Sequence, residues 1–148
     1  MREKPLVLIV DDEPDIRDLL KFKLSGNGFD VAEAGDGVEG VEMARKTKPD
    51  IIIMDLVMPR MDGAAALFKI KEDEDLKDIK IFMFTGKGDP RPEFAEVNRK
   101  FARESGAVDF IRKESDLNEL VAKLQHTVQE TRDDEKFKEE REKLQEGI

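Results

Sequence analysis

Residues Asp50–Gly63 read DIIIMDLVMPRMDG, and the fold turns on this stretch. After a polar start, the apolar run Ile51-Ile52-Ile53-Met54 stops at a carboxylate, Asp55. A short, β-branched run of this kind predicts a buried parallel strand. Met58-Pro59 and Asp62-Gly63 then lead the chain into a turn-rich loop. Asp55 therefore stands at the carboxyl end of a strand, the edge where open α/β sheets bind their ligands. Taken alone, it could equally be a plain strand cap.

The same pattern recurs on either side. Leu6–Val10 (LVLIV) ends at Asp11-Asp12-Glu13, and Pro14 then suits the first turn of a helix carrying Ile16, Leu19, Leu20 and Leu24 up to Gly26. Phe29–Ala34 alternates as an edge strand does, and Gly35-Asp36-Gly37 opens a helix with Val38, Val41 and Ala44. Ala64–Lys71 forms a third helix through Leu67 and Ile70. Ile79–Phe84 is a fourth strand ending at Thr85-Gly86, followed by a loop with Pro90 and Pro92 and a helix face of Phe94, Val97 and Phe101 closed by Gly106. Val108–Ile111 is a short fifth strand ending near Lys113, and a last helix, capped by Ser115 or Asp116, carries Leu117, Leu120, Val121, Leu124 and Val128. Five strand and helix units in alternation predict an α/β fold, a doubly wound five-stranded parallel sheet with helices on both faces.

Composition narrows the function. The chain has 148 residues, enough for one domain, and a net charge of −9. An acidic body speaks against direct nucleic-acid binding and against an anionic membrane surface. With no cysteine, thiolate catalysis and disulfides are excluded. No run approaches the roughly 20 apolar residues of a membrane span, so a cytoplasmic location is expected. From Glu130 to Glu146, thirteen of seventeen residues are charged, with Glu135/Lys138 and Glu139/Lys143 at helical spacing. Residues 1–128 are thus read as one domain and 129–148 as a charged helical extension or linker. The last helix is also a candidate dimer surface, although its apolar stripe is thin.

In a parallel sheet all carboxyl-terminal strand ends share one edge, so Asp11, Asp12, Asp55, Thr85 and Lys113 meet there. Clustered carboxylates repel unless a cation joins them. Oxygen ligands without His or Cys favour a hard ion such as Mg²⁺. A hydroxyl and an ammonium beside them are what a phosphoryl group needs. Asp is a phosphoryl acceptor, and the inferred reaction is phosphoryl transfer onto Asp55.

From Pro5 to about Val128 the chain resembles the receiver domain of two-component response regulators, through Asp11-Asp12, the stretch MDLVMPRMDG, Thr85 and Lys113. The resemblance implies flavodoxin-like strand order 2-1-3-4-5. It implies that Asp55 accepts a phosphoryl group from a histidine kinase or a small phosphodonor. It assigns Mg²⁺ to Asp12, Asp55 and the backbone carbonyl of Val57, with Asp11 acting through water. Thr85 and Lys113 would contact the phosphoryl oxygens. Such domains regulate rather than turn over substrate, so no enzyme activity is expected beyond assisting their own phosphorylation and dephosphorylation. A switch would pair Thr85 with an aromatic at Phe110, altering a face that binds an unknown downstream protein.

Three positions depart from the family pattern. Glu114 follows Lys113 where most members have proline, so a trans bond is expected there. The region from Gly86 to Pro92 and its helix are longer than usual. Val57 and Lys87, two residues after Asp55 and Thr85, offer no obvious water-orienting group, which predicts slow loss of phosphate.

Two rival readings stay open. Gly35-Asp36-Gly37-Val38-Glu39-Gly40 matches the G-x-G-x-x-G of dinucleotide-binding domains. A Mg²⁺-dependent phosphatase of the haloacid dehalogenase type also aligns Asp, Thr and Lys, but its first-strand nucleophile has a second Asp two residues on. Here Asp11 is followed at that spacing by Glu13. His126, the only histidine, is read as a solvated surface group, and Met54, Met58, Met61 and Met83 as packing.

Overall fold

The computed structural model describes residues 1–85, 104, 106–113 and 115–147. Its five strands are β1 (Leu6–Val10), β2 (Asp30–Ala34), β3 (Ile51–Asp55), β4 (Lys80–Thr85) and β5 (Asp109–Arg112). They form one parallel sheet in the order β2-β1-β3-β4-β5. The described helices are α1 (Pro14–Ser25), α2 (Gly37–Thr47), α3 (Gly63–Glu72) and α4 (Leu117–Glu146).

The central strands are apolar between their ends, β3 as far as Met54 and β4 from Ile81 to Phe84, because both faces are covered. On one face, Leu8, Val10, Ile52, Met54, Ile81 and Met83 pack with Val41 and Ala44 of α2 and with Leu67 and Ile70 of α3. On the other, Val7, Ile9, Ile51, Ile53, Phe82 and Phe84 pack with Leu20 and Leu24 of α1 and Leu120, Val121 and Leu124 of α4. Register aligns these layers: Leu8 pairs with Ile52, which pairs with Ile81. The apolar runs thus read as doubly covered strands.

Several boundaries differ from the sequence reading. Leu19, assigned with Leu20 and Leu24 to one helix face, is exposed, and its neighbour Phe22 is 82% exposed. The face of α1 toward the sheet is too narrow to take adjacent positions, and Leu20 fills it. β4 includes Thr85 as its last residue, and β5 starts at Asp109 and leaves Val108 exposed. The helix read from Phe94, Val97 and Phe101, the region from Gly86 to Pro92, Lys87 and the bond to Glu114 lie outside the described residues.

The last helix is one element of 30 residues, and Asp116 is the N-cap, accepting a hydrogen bond from the Asn118 N–H at 2.8 Å. Its buried residues end at Val128. Beyond that point a strap from the chain start holds it. Arg132 donates to the carbonyls of Arg2 and Glu3 at 3.3 and 2.8 Å, and the Met1 amine lies 3.0 Å from Glu135. Arg2 in turn donates to the carbonyls of Thr47 and Lys48 at the end of α2. None of the described helices is long and apolar enough to cross a membrane.

Candidate phosphoacceptor site

The site lies where β1 and β3 end side by side, since Val10 pairs with Met54 and Asp11 and Asp55 continue those strands. Asp11 is 1% exposed and Asp55 4%. Carboxylate oxygens of Asp11, Asp12 and Asp55 all lie within 4.8 Å of one another, with Asp12 on the solvent side. The sequence reading had placed these three on one edge, and the structure brings them together.

Lys113, one residue beyond β5, reaches across from the far edge. Its Nζ is 2.7 Å from Asp11 Oδ2, 3.4 Å from Asp55 Oδ2 and 3.6 Å from Glu13 Oε1. On the way it passes 5.6 Å from the ring centroid of Phe84. Burial disfavours the Lys113 ammonium, but Asp11, Asp55 and Glu13 together outweigh it and raise its pKa. Asp11 Oδ2 is buried, with the Lys113 ammonium against it. Its other oxygen accepts the Glu13 N–H at 2.9 Å.

Burial pushes the Asp55 carboxyl up to about 7. The Asp11 carboxylate and a hydrogen bond with Asp12 act in the same direction, while Lys113 and the Val57 N–H oppose it. One ammonium is therefore insufficient for three acids. The donor set is all oxygen and two of its members are buried. With all three within 4.8 Å of one another, it fits a hard divalent cation such as Mg²⁺.

Val57 N–H points to Asp55 Oδ1 at 3.4 Å, and the Val57 side chain is exposed beside the site. Thr85 ends β4 in register with Arg112, one strand from Asp55. Phe110 is 8% exposed and packs on the α2 and α3 face of the sheet. His126 lies in the first third of α4, exposed and with its Nε2 2.8 Å from Glu130 Oε1.

Other residues shape the site that the sequence reading did not single out. Arg17 of α1 donates to the Asp11 carbonyl at 2.7 Å and lies 3.6 Å from Glu33, tying the acidic loop to β2. Its position six residues after Asp11, just over one helical turn into α1, is the only signal it left. The G-x-G-x-x-G match has a packing explanation. A Cβ on Gly37 would stand 2.2 Å from the Met61 carbonyl oxygen, and one on Gly40 would stand 2.8 Å from Val10 Cγ1. These glycines admit neighbouring protein atoms, not a pyrophosphate, and Asp36 caps the helix with its own side chain.

The response regulator receiver domain family model matches residues 7–125. The chain is 33% identical over 127 residues to the DNA-binding dual master transcriptional regulator RpaA of Synechocystis sp., covering 86% of this chain and 50% of that protein. It is 38% identical over 125 residues to the transcriptional regulatory protein SrrA of Staphylococcus aureus, covering 84% and 48%. The chain spans about half the length of these curated relatives. Among solved structures, the chemotaxis protein CheY4 of Vibrio cholerae superposes with a TM-score of 0.72 at 29% identity, covering 82% of this chain and 97% of that one. NtrX of Brucella abortus gives 0.78 at 26% identity, covering 91% and 29%. Neither the dinucleotide-binding nor the phosphatase reading is favoured by these likenesses. With its strand order, its paired acids and its lysine on one sheet edge, this chain belongs to the response regulator receiver domain family.

Proposed function

We propose that Asp55 is the phosphoacceptor of a two-component signalling step, and that residues 1–128 act as the receiver unit with 129–148 as its helical extension. The observation that carries this is the buried Asp55 carboxylate held 3.4 Å from the Lys113 ammonium within a triad of acids. A carboxylate oxygen of Asp55 attacks phosphorus. The bond from phosphorus to the donor, a phosphohistidine nitrogen or the oxygen of a small acyl phosphate, breaks. Its electron pair leaves with the donor, which then takes a proton. Asp11, Asp12, Asp55 and the Val57 carbonyl are the residues that would hold Mg²⁺, Asp11 through water. When bound, the ion neutralises phosphoryl oxygens and keeps Asp55 ionised. Lys113 supplies a further cation to those oxygens, and Thr85 a hydroxyl. Val57, two residues after Asp55, is exposed and apolar and offers no group to orient attacking water, which supports slow loss of phosphate.

Thr85 and Phe110 are proposed to couple the phosphorylated site to a protein-binding face, with a histidine kinase upstream, a protein partner downstream and a cytoplasmic setting. The test is incubation with Mg²⁺ and acetyl phosphate, read by intact mass. A gain of one phosphoryl group, absent in Asp55→Asn and persisting for minutes after the donor is removed, is expected. Continuous hydrolysis of a generic phosphate ester without a stable adduct would instead support the phosphatase reading.

A further inference from the structure

The loop between β3 and α3 is pinned at both ends and strained in the middle. At its end, the Gly63 N–H donates to the Leu56 carbonyl at 2.9 Å, and a Cβ on Gly63 would stand 2.2 Å from the Asp55 carbonyl oxygen. In the middle, Arg60 has φ +65°, a region L side chains seldom occupy. The Met61 N–H donates to the Pro59 carbonyl at 2.7 Å, closing a three-residue turn around Arg60. Such a turn at positive φ is the rare, strained form. Nothing about an arginine favours this conformation, so something outside the turn must hold it.

Asp36 is the group in position to do so. Its Oδ2 receives Arg60 Nε at 2.8 Å and Nη2 at 2.6 Å, while its Oδ1 accepts the Glu39 N–H at 2.9 Å and caps α2. The cap and the ion pair hold its pKa below the ordinary carboxylate value, the cap contributing most. Beside it, Gly37 lets the Met61 carbonyl lie against the start of α2 at a distance no Cβ would allow. The loop is therefore fastened to a rigid helix terminus 24 residues away in sequence.

We propose that the Arg60–Asp36 pair is a latch that holds the strained turn and thereby sets the Val57 backbone beside Asp55, making Arg60 a positioning residue for Mg²⁺ binding and phosphoryl acceptance. The proposal rests on the reading of Asp55 as phosphoacceptor. Arg60→Ala keeps the strain and loses the latch. Asp36→Asn keeps the helix cap and loses the charge, and Arg60→Gly removes the strain along with the latch. Three measurements are compared with the intact chain: amide hydrogen exchange over residues 56–62, Mg²⁺ affinity by calorimetry, and the initial rate of phosphorylation by acetyl phosphate. Arg60→Ala and Asp36→Asn are each expected to speed exchange in this segment and to weaken Mg²⁺ binding roughly tenfold. The double variant should be no worse than either single, since both break one contact, and Arg60→Gly should retain more affinity than Arg60→Ala. Unchanged exchange and affinity in both singles, additive losses in the double, or no advantage of glycine over alanine would overturn the latch. An intact chain that neither binds Mg²⁺ nor takes up phosphate removes the phosphoacceptor reading, and the exchange comparison still decides whether the pair orders the loop.

Discussion

The surroundings of Asp55 disfavour its charge, whereas the proposed phosphoacceptor role needs the anion. Its folded pKa of about 7 exceeds the ordinary 3.8, because burial and Asp11 disfavour the charge. The folded state therefore binds this proton more tightly than the unfolded chain does. The stability from that proton is fully present below about pH 4 and is lost as pH rises through 7. Without divalent metal, the chain should unfold at a lower temperature at pH 8 than at pH 5.5. Asp55→Asn, which carries no charge to desolvate, should flatten that slope. At pH 8 it should be more stable by on the order of 2–4 kcal/mol, and millimolar Mg²⁺ should narrow the gap by stabilising the parent. Thermal scans at the two pH values check this, and a variant less stable than the parent at pH 8 would contradict it. Lys113→Met acts in the opposite direction. It removes the cation 2.7 Å from Asp11, leaving buried acids uncompensated, and is expected to cost about 3 kcal/mol in urea unfolding at pH 8 without Mg²⁺. These residues were legible because a parallel sheet sends every strand to the same edge, whatever the sequence distance. The Arg60–Asp36 pair and the Arg17 contact were not, because each depends on a loop conformation that leaves no periodic trace.

Helix α2 shows why a motif can mislead. Its glycines match a phosphate-binding pattern, yet Gly37 abuts a backbone carbonyl and Gly40 abuts the end of the Val10 side chain. The two contacts predict unequal costs for the same change. Gly40→Ala meets a methyl group that can shift, and about 1–2 kcal/mol is expected. Gly37→Ala meets the Met61 carbonyl at 2.2 Å, so either the loop after β3 or the start of α2 must move. A larger stability loss, together with weakened Mg²⁺ binding, is expected from that variant and only a stability loss from Gly40→Ala. Denaturant titration and calorimetry on both would show it, and equal effects would refute the distinction. Element type was readable where both strand faces are covered, as in Leu6–Val10 and Ile51–Asp55, because a doubly buried strand has no polar side to blur it. It was less exact at sheet edges. β5 has only four residues, with Arg112 exposed and Asp109 half-buried, and with so little burial its start cannot be located by hydropathy. Leu19 misled for a related reason, since hydropathy alone does not say which of two adjacent leucines in α1 faces the sheet, and here Leu20 is buried while Leu19 is exposed.

At the scale of the molecule, α4 serves two environments in one unbroken helix. Up to Val128 it covers the sheet with Leu120, Val121 and Leu124, and beyond it only Thr131 among the described residues is less than exposed. An isolated solvated helix of this length is marginal in water, even with pairs such as Glu139 and Lys143 in its favour. Its continuity past Val128 must come from propagation out of the packed half and from the strap, in which Arg132 grips the carbonyls of Arg2 and Glu3 and Glu135 faces the Met1 amine. Arg2 extends that strap to the end of α2, so the extension, the chain start and a helix on the opposite sheet face are joined through exposed polar contacts. Each is worth little alone, and their value lies in where they stop the helix from fraying. Two truncations separate these contributions. Ending the chain after Lys136 keeps Arg132 and Glu135, and should leave the melting temperature within about 2 °C of the parent. Ending it after Val128 removes both anchors and exposes the carboxyl end of the packed half, and a fall of several degrees is expected. In the full chain, Arg132→Ala should speed amide exchange from about residue 129 onward without touching that of β1 or β3. Equal melting temperatures for both truncations would mean that the packed half alone sets the end of the fold. A change in sedimentation between the parent and the shorter chain would instead show that Phe137 and Leu144, both exposed on the extension, hold two copies together.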